Sequence, residues 1–126
     1  MWKWANLFGR CALALIFLIS GAGKLMDYAG TQQYMRSGGV PGVLLPLVIA
    51  LELGGGLALV IGWKTRYVAV LLALFSLLAA VLFHAHFADE MQTIMFLKNI
   101  AIAGGLAVLA ERGSAAPSLD ARGTAG

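Results

Sequence analysis

Four apolar stretches of about 20 residues dominate this sequence, and each is close to the length that a helix needs to cross a bilayer. They cover residues 7–23, 43–63, 67–88 and 91–110. Their apolar positions do not alternate with period two, and four strands are too few to close a barrel. The sequence therefore predicts an all-α polytopic membrane protein, folded as a bundle of four transmembrane helices.

The composition of the chain supports a membrane location. Of its 126 residues, 60% are hydrophobic and 12% are charged, against roughly 45–50% and about 25% in soluble domains. A chain this short cannot bury so much apolar surface in its own core, so lipid must cover the rest. We predict one transmembrane domain over residues 1–111, followed by a disordered cytoplasmic tail over 112–126, which is rich in Gly, Ala and Ser.

The first apolar stretch also has the basic start of a signal peptide, with Lys3 and Arg10 near its beginning. Three further stretches follow it and no clear A-x-A cleavage site is present, which favours a retained span. We expect Arg10 to extend its side chain to the membrane surface.

Basic residues are distributed unequally between the two sides of the predicted bundle. Two of them lie on the side of the long first loop, which covers residues 24–42 and contains a predicted interfacial helix at 31–36. Six lie on the side of the termini: Lys3, Arg10, Lys64, Arg66, Arg112 and Arg122. The positive-inside rule then predicts that both termini are cytoplasmic. The net charge of +3 is spread too thinly to form a nucleic-acid-binding patch.

A few ionisable or amide side chains interrupt the apolar spans. Placing such a group at mid-bilayer costs a few kcal/mol, so each one is a candidate functional residue. Glu52 should lie roughly 14 Å and Lys98 roughly 10 Å below the outer surface, from the helical rise. His86 is a sixth candidate, nearer the surface. The five main candidates all fall in the outer half of the membrane: Lys24, Glu52, His84, Lys98 and Asn99. The sequence therefore predicts a polar pocket between the helices in that half of the bundle.

These polar residues have two readings. In the functional reading, Glu52 pairs with Lys98 or Lys24, and His84 exchanges protons near neutral pH. In the structural reading, the Glu–Lys pair fixes the register of the helices and Asn99 forms a hydrogen bond between helices. Lys24 and His86 are then interfacial anchors.

No complete catalytic or cofactor signature accompanies them. His84 and His86 are two residues apart and point to different faces of a helix. There is a single cysteine, Cys11, so we expect no metal site and no cofactor held by the chain alone. Small residues at every fourth position (Ala50, Gly54, Ala58 and Gly62) predict close helix contacts, within the bundle or between subunits, as do Gly104 and Gly105.

Several short motifs occur in an order that resembles the DoxX family, from about Arg10 to Leu109. They are Ser20-Gly21-Ala22-Gly23-Lys24-Leu25, Gly39-Val40-Pro41, Glu52-Leu53-Gly54-Gly55-Gly56, Gly62-Trp63-Lys64-Thr65-Arg66, Phe83-His84, Lys98-Asn99 and Gly104-Gly105-Leu106. The resemblance implies a four-helix protein of the bacterial inner (plasma) membrane. The family is named after a subunit associated with quinone-linked sulfur oxidation, and it supplies no agreed catalytic residue.

This resemblance favours an accessory membrane subunit of a redox system, with quinone bound in the polar pocket and electrons supplied by a partner protein. Two other functions are compatible with the sequence. One is a non-enzymatic membrane scaffold that recruits a partner protein. The other is a small-solute transporter, in which Glu52 and Lys98 would line a path and homo-oligomers would widen it.

Overall fold

The protein is a bundle of four long helices with one short helix at each end of the bundle. A computed structural model describes residues 2–85 and 87–124, so the candidate His86 lies outside the described residues. The helices are α1 (Trp2–Met26), α2 (Tyr28–Ser37), α3 (Leu45–Ile61), α4 (Thr65–Phe83), α5 (Glu90–Arg112) and α6 (Leu119–Thr124), with a 3-10 turn at Gly42–Leu44 before α3. Four of them are long and apolar enough to span a membrane. The predicted all-α fold with four transmembrane helices is confirmed.

Some helix ends differ from the predicted spans. α1 continues to Met26, so Lys24 lies inside its last turn and not beyond it. α4 ends at Phe83 and not near 88, because His84 leaves the helical conformation with φ −124° and ψ 18°. The interfacial helix is longer than predicted, since the Asp27 side chain caps α2 by accepting a hydrogen bond from the Gly30 N–H.

The long helices pack as two pairs, α1 against α3 and α4 against α5. A buried core of Phe17, Leu59, Leu72 and Leu106 joins the two pairs. Of the three consecutive glycines of α3, Gly55 and Gly56 permit close approach, since a Cβ would meet Leu72 at 3.1 Å from Gly55 and Leu18 at 2.8 Å from Gly56.

The predicted row of small residues is therefore not one packing face inside the bundle. Ala50 and Gly54 are exposed, and a Cβ on Gly54 would meet nothing within 4 Å. Ala58 and Gly62 are buried. On α5, Gly104 is likewise open, whereas a Cβ on Gly105 would contact Leu13 at 3.5 Å. The close contacts of α3 are made by Gly55 and Gly56, which lie next to the predicted row and not in it.

We call the end of the bundle that carries the chain termini the terminal face, and the opposite end the α2 face. At the α2 face, α2 packs on the start of α3 through Met35, Leu45 and Ile49. Tyr34 of α2 also stacks on Phe83 of α4, with ring centroids 5.0 Å apart. These contacts fix α2 across this end of the bundle.

The disordered tail predicted for 112–126 stays a prediction. In the structure this segment contains the short helix α6 (Leu119–Thr124). Its Asp120 carboxylate accepts hydrogen bonds from the N–H groups of Lys64 (2.7 Å) and Thr65 (2.8 Å) at the start of α4. Ser118 is buried. These polar contacts connect the segment to the start of α4.

Arg10 is buried and does not reach the membrane surface, contrary to the expectation. Its side chain is 0% exposed. It donates hydrogen bonds to the Asn6 side chain, to backbone carbonyls at the end of α3 and to backbone carbonyls of the segment after α5. The acceptors are Asn6 Oδ1, Leu59 O, Val60 O, Ala115 O and Pro117 O, at 2.8–3.3 Å. The Leu59 and Val60 carbonyls lie in the last turn of α3, where carbonyls lack helical partners, and the guanidinium supplies donors to them.

Candidate functional site

The five polar residues singled out in the sequence line a single cavity of about 390 Å³ between the four long helices, next to the α2 face. They are Lys24 of α1, Glu52 of α3, His84 after α4, and Lys98 and Asn99 of α5. A cavity of this size lies within the range of small-molecule sites, about 300–1,000 Å³. The structure thus brings together all five candidates.

Glu52 forms its ion pair with Lys24 and not with Lys98. Lys24 Nζ lies 2.7 Å from Glu52 Oε1 and donates a hydrogen bond to Ser20 Oγ at 2.6 Å. Glu52 is 3% exposed, and a carboxylate this deeply buried needs a nearby cation to stay ionised. Of the two counter-charges that the sequence left open, Lys24 is the partner because α1 and α3 are packed side by side.

Lys98 lies beside the same cavity without an ionic partner. It forms no ion pair or hydrogen bond with any residue that the structure describes, although it lies in the third turn of α5 and within an apolar span. With Glu52 neutralised by Lys24, the cavity carries one positive charge in excess while His84 is neutral. An uncompensated ammonium at membrane depth is costly, so a polar or anionic group from outside the described residues would be favoured here.

His84 lies at the mouth of the cavity, directly after the end of α4. Its Nδ1 is 2.8 Å from Oε1 of Gln92 in the first turns of α5. If Nδ1 carries the proton and donates to this oxygen, Nε2 is left as a proton acceptor. Gln92 was not among the sequence candidates, although a glutamine eight residues after a histidine across a tight loop is within reach of it.

Asn99 contributes a contact between helices. Its Nδ2 donates a hydrogen bond of 3.2 Å to the backbone carbonyl of Ser76 on α4. The predicted hydrogen bond between helices is confirmed, and it fixes α5 against α4 where both helices line the cavity. The amide oxygen of Asn99 accepts no hydrogen bond from the described residues.

The walls of the cavity are otherwise mostly apolar. Thr31, Tyr34 and Met35 of α2 close the end of the bundle. Along the seam between α3 and α4, the lining includes leucines that also face the surroundings: Leu47 is 68% exposed and Leu78 58%. Since lipid surrounds the spans, these two leucines of the lining also face the hydrocarbon phase.

Sequence reasoning missed the groups that orient the main candidates. Ser20 is four residues before Lys24, and this spacing places both on one helix face, which was the available signal. No local signal indicated that Tyr34 would stack on Phe83, because that contact depends on how α2 folds back. Among residues 2–85 and 87–124, no three His, Cys, Asp or Glu side chains are grouped as metal ligands.

Comparison with known proteins places this architecture in context. The DoxX family profile matches residues 5–85. The chain is 50% identical over 114 residues to the inner membrane protein YqjF of Escherichia coli K12, covering 90% of this chain and 88% of the relative. It is 40% identical over 124 residues to the inner membrane protein YphA of the same organism, covering 92% and 88%.

A third relative carries a name that refers to activity. Over 69 residues the chain is 36% identical to the Bacillus subtilis 168 protein named "Putative oxidoreductase CatD", covering 55% of this chain and 52% of the relative. No solved structure matches the chain. The family profile, the two inner-membrane relatives and the four spanning helices agree: the chain is an inner membrane protein of the DoxX family.

Proposed function

We propose that this chain is the quinone-binding membrane subunit of a redox system, and that the cavity holds the quinone ring. The observation that carries the proposal is the convergence of five polar side chains on one otherwise apolar cavity of about 390 Å³. A lipid-soluble ring with polar atoms at its edge matches such a lining, because a few polar groups orient it while apolar walls bind its faces. The name of the CatD relative supports a redox role.

The charges of the cavity support the same ligand class. Bound quinone would accept two electrons and two protons to become quinol, with the electrons supplied by a redox partner protein. Lys98 is positioned to donate a hydrogen bond to a ring oxygen, since no described residue occupies its ammonium group. Its positive charge would favour the more electron-rich state of that oxygen.

Two ionisable side chains at the cavity, His84 and Glu52, have different roles in this proposal. His84 Nε2 is an acceptor when Nδ1 donates to Gln92, so it is available to take up a proton. Glu52 is paired with Lys24 deep in the cavity, where it would orient the Lys24 ammonium group. We therefore assign proton exchange to His84, at the α2 face, and positioning to Glu52.

The test is the quinone content of the purified full-length chain. The protein is extracted from bacterial membranes in mild detergent, and lipid quinone is measured per protein by mass spectrometry. We expect close to one quinone per chain, with strong loss in Lys98→Met and His84→Ala. Lys3→Met is the matched control, because Lys3 is exposed at the terminal face and lies over the Trp4 ring.

Other outcomes would contradict the proposal. If wild-type protein carries no quinone, or if the two variants retain it fully, quinone is not the ligand of this cavity. A protein that co-purifies in fixed ratio without quinone would favour the scaffold function. Solute flux through liposomes that contain this chain alone would favour the transporter.

A further inference from the structure

A second cleft lies at the terminal face, away from the cavity described above. It has a volume of about 670 Å³ and lies between the start of α4, the end of α5 and the start of α6. Three of the residues that line it are basic and exposed: Lys64, Arg66 and Arg112. The cleft is thus a concentrated positive site on the face that carries most of the chain's basic residues.

The acidic residue in this cleft does not cancel the basic ones. Burial alone would raise the pKa of Asp120, but the hydrogen bonds it accepts from Thr65, Lys64 and Ser114 together hold the pKa below its ordinary value. Its charge is therefore used at the start of α4, where the helix dipole favours an anion. With one carboxylate against three cations, the lining of the cleft keeps a net positive charge that favours an anion.

The donors of the cleft retain hydrogen-bonding capacity. Arg66 Nη2 donates to the Arg112 carbonyl at 3.4 Å, which uses one of the five N–H groups of its guanidinium. Arg112 Nε lies 3.2 Å from the neighbouring Glu111 carboxylate, with both side chains about three-quarters exposed, so solvent screens this pair strongly. Lys64 Nζ lies over the Trp63 ring, 5.4 Å from its centroid.

Apolar side chains continue from the cleft along the outside of α4. Tyr67 lines the cleft and is largely exposed, and Val70, Leu71 and Leu74 follow it as exposed apolar residues. An amphiphile whose anionic head lies among the three cations would lay its acyl chains on this surface. A free phosphate ion would use the cations but not the apolar surface.

We propose that this cleft binds the headgroup of an anionic phospholipid, with its phosphate among Lys64, Arg66 and Arg112. Basic pockets at the membrane surface between transmembrane helices bind such headgroups. Each basic residue near the surface is worth about a fivefold preference for an anionic lipid. This site is independent of the proposed quinone cavity.

The experiment measures lipid selectivity directly. Full-length protein is reconstituted in bilayers of equal phosphatidylglycerol and phosphatidylcholine, and the lipids retained after gentle release are counted by native mass spectrometry. Wild-type protein should retain phosphatidylglycerol preferentially. Arg112→Gln should lower that preference about fivefold, and Arg66→Gln with Arg112→Gln about twenty-fivefold.

Controls separate this site from general attraction. Arg122→Gln removes a charge from the same face outside the lining of the cleft and should leave the preference unchanged. Arg112→Gln alone avoids the structural contact that Arg66 makes, so its result holds if the double variant is unstable. Equal retention of both lipids by wild type, equal loss in Arg122→Gln, or full displacement by inorganic phosphate would overturn the proposal.

Discussion

Two polar clusters of this bundle differ in how completely their hydrogen-bonding groups are used. At the terminal face, Arg10 donates to five oxygens from Asn6, the end of α3 and the tail. At the α2 face, Lys98 lies beside a cavity of about 390 Å³ without a partner among the described residues.

This difference separates Arg10, a structural buried charge, from Lys98, the group that we propose for ligand binding. A guanidinium has five N–H groups, and the acceptors around Arg10 leave no room for a ligand. Burial of charge inside a membrane protein is therefore not enough to identify a site. Unused donors beside an open volume are the stronger indication, and the cavity at the α2 face has them.

The largest expected effect comes from removing the guanidinium of Arg10, whose N–H groups all donate hydrogen bonds. Arg10→Met should lower the free energy of unfolding by about 3–5 kcal/mol, because it leaves several buried carbonyls without donors. Chemical unfolding in detergent followed by circular dichroism measures it. Arg122→Met, an exposed control, should stay close to wild type. If Arg10→Met lowers the free energy of unfolding by less than about 1 kcal/mol, Arg10 is not the structural charge that this comparison takes it to be.

An intermediate effect is expected at the Glu52–Lys24 pair. Glu52→Gln and Lys24→Met should each destabilise the protein, since each leaves an uncompensated charge or dipole, whereas the double variant should recover part of the loss. The coupling energy from this cycle should be about 1–3 kcal/mol. Lys98→Met combined with Glu52→Gln should show much weaker coupling. A stronger coupling of Glu52 with Lys98 than with Lys24 would assign the ion pair to Lys98.

The smallest effect concerns Asp120, whose pKa is lowered mainly by backbone hydrogen bonds that outweigh its burial. A lowered pKa means that the ionised form adds stability above its ordinary value of 3.8, and that this stability is lost as pH falls through the lower folded value. Asp120→Ala should cost about 1 kcal/mol above that pH, as other caps do. The difference from wild type should shrink in more acidic solution, as measured by unfolding at several pH values. A difference that does not change with pH would exclude the ionised carboxylate as its cause.

The sequence predicted the spans and the convergence of polar residues better than it predicted their partners. Span length and the depth of Glu52 and Lys98 follow from apolar runs and helical rise, which are local properties. The choice of Lys24 for Glu52 depends on which helices are adjacent, and the burial of Arg10 depends on a tail that folds back 105 residues later in the chain. Such long-range polar contacts have no periodic signal. The orientation of the termini, predicted as cytoplasmic, stays a prediction.

The leucines of the seam between α3 and α4 determine how occupancy of the cavity should be measured. Because α2 closes the end and Leu47 and Leu78 face the hydrocarbon phase, a hydrophobic molecule would arrive by lateral diffusion within the leaflet. Its effective concentration is then its mole fraction in the bilayer, and affinities expressed per litre of water would change with the amount of lipid in the assay. Titrations at several lipid-to-protein ratios should therefore coincide only when they are plotted against that mole fraction.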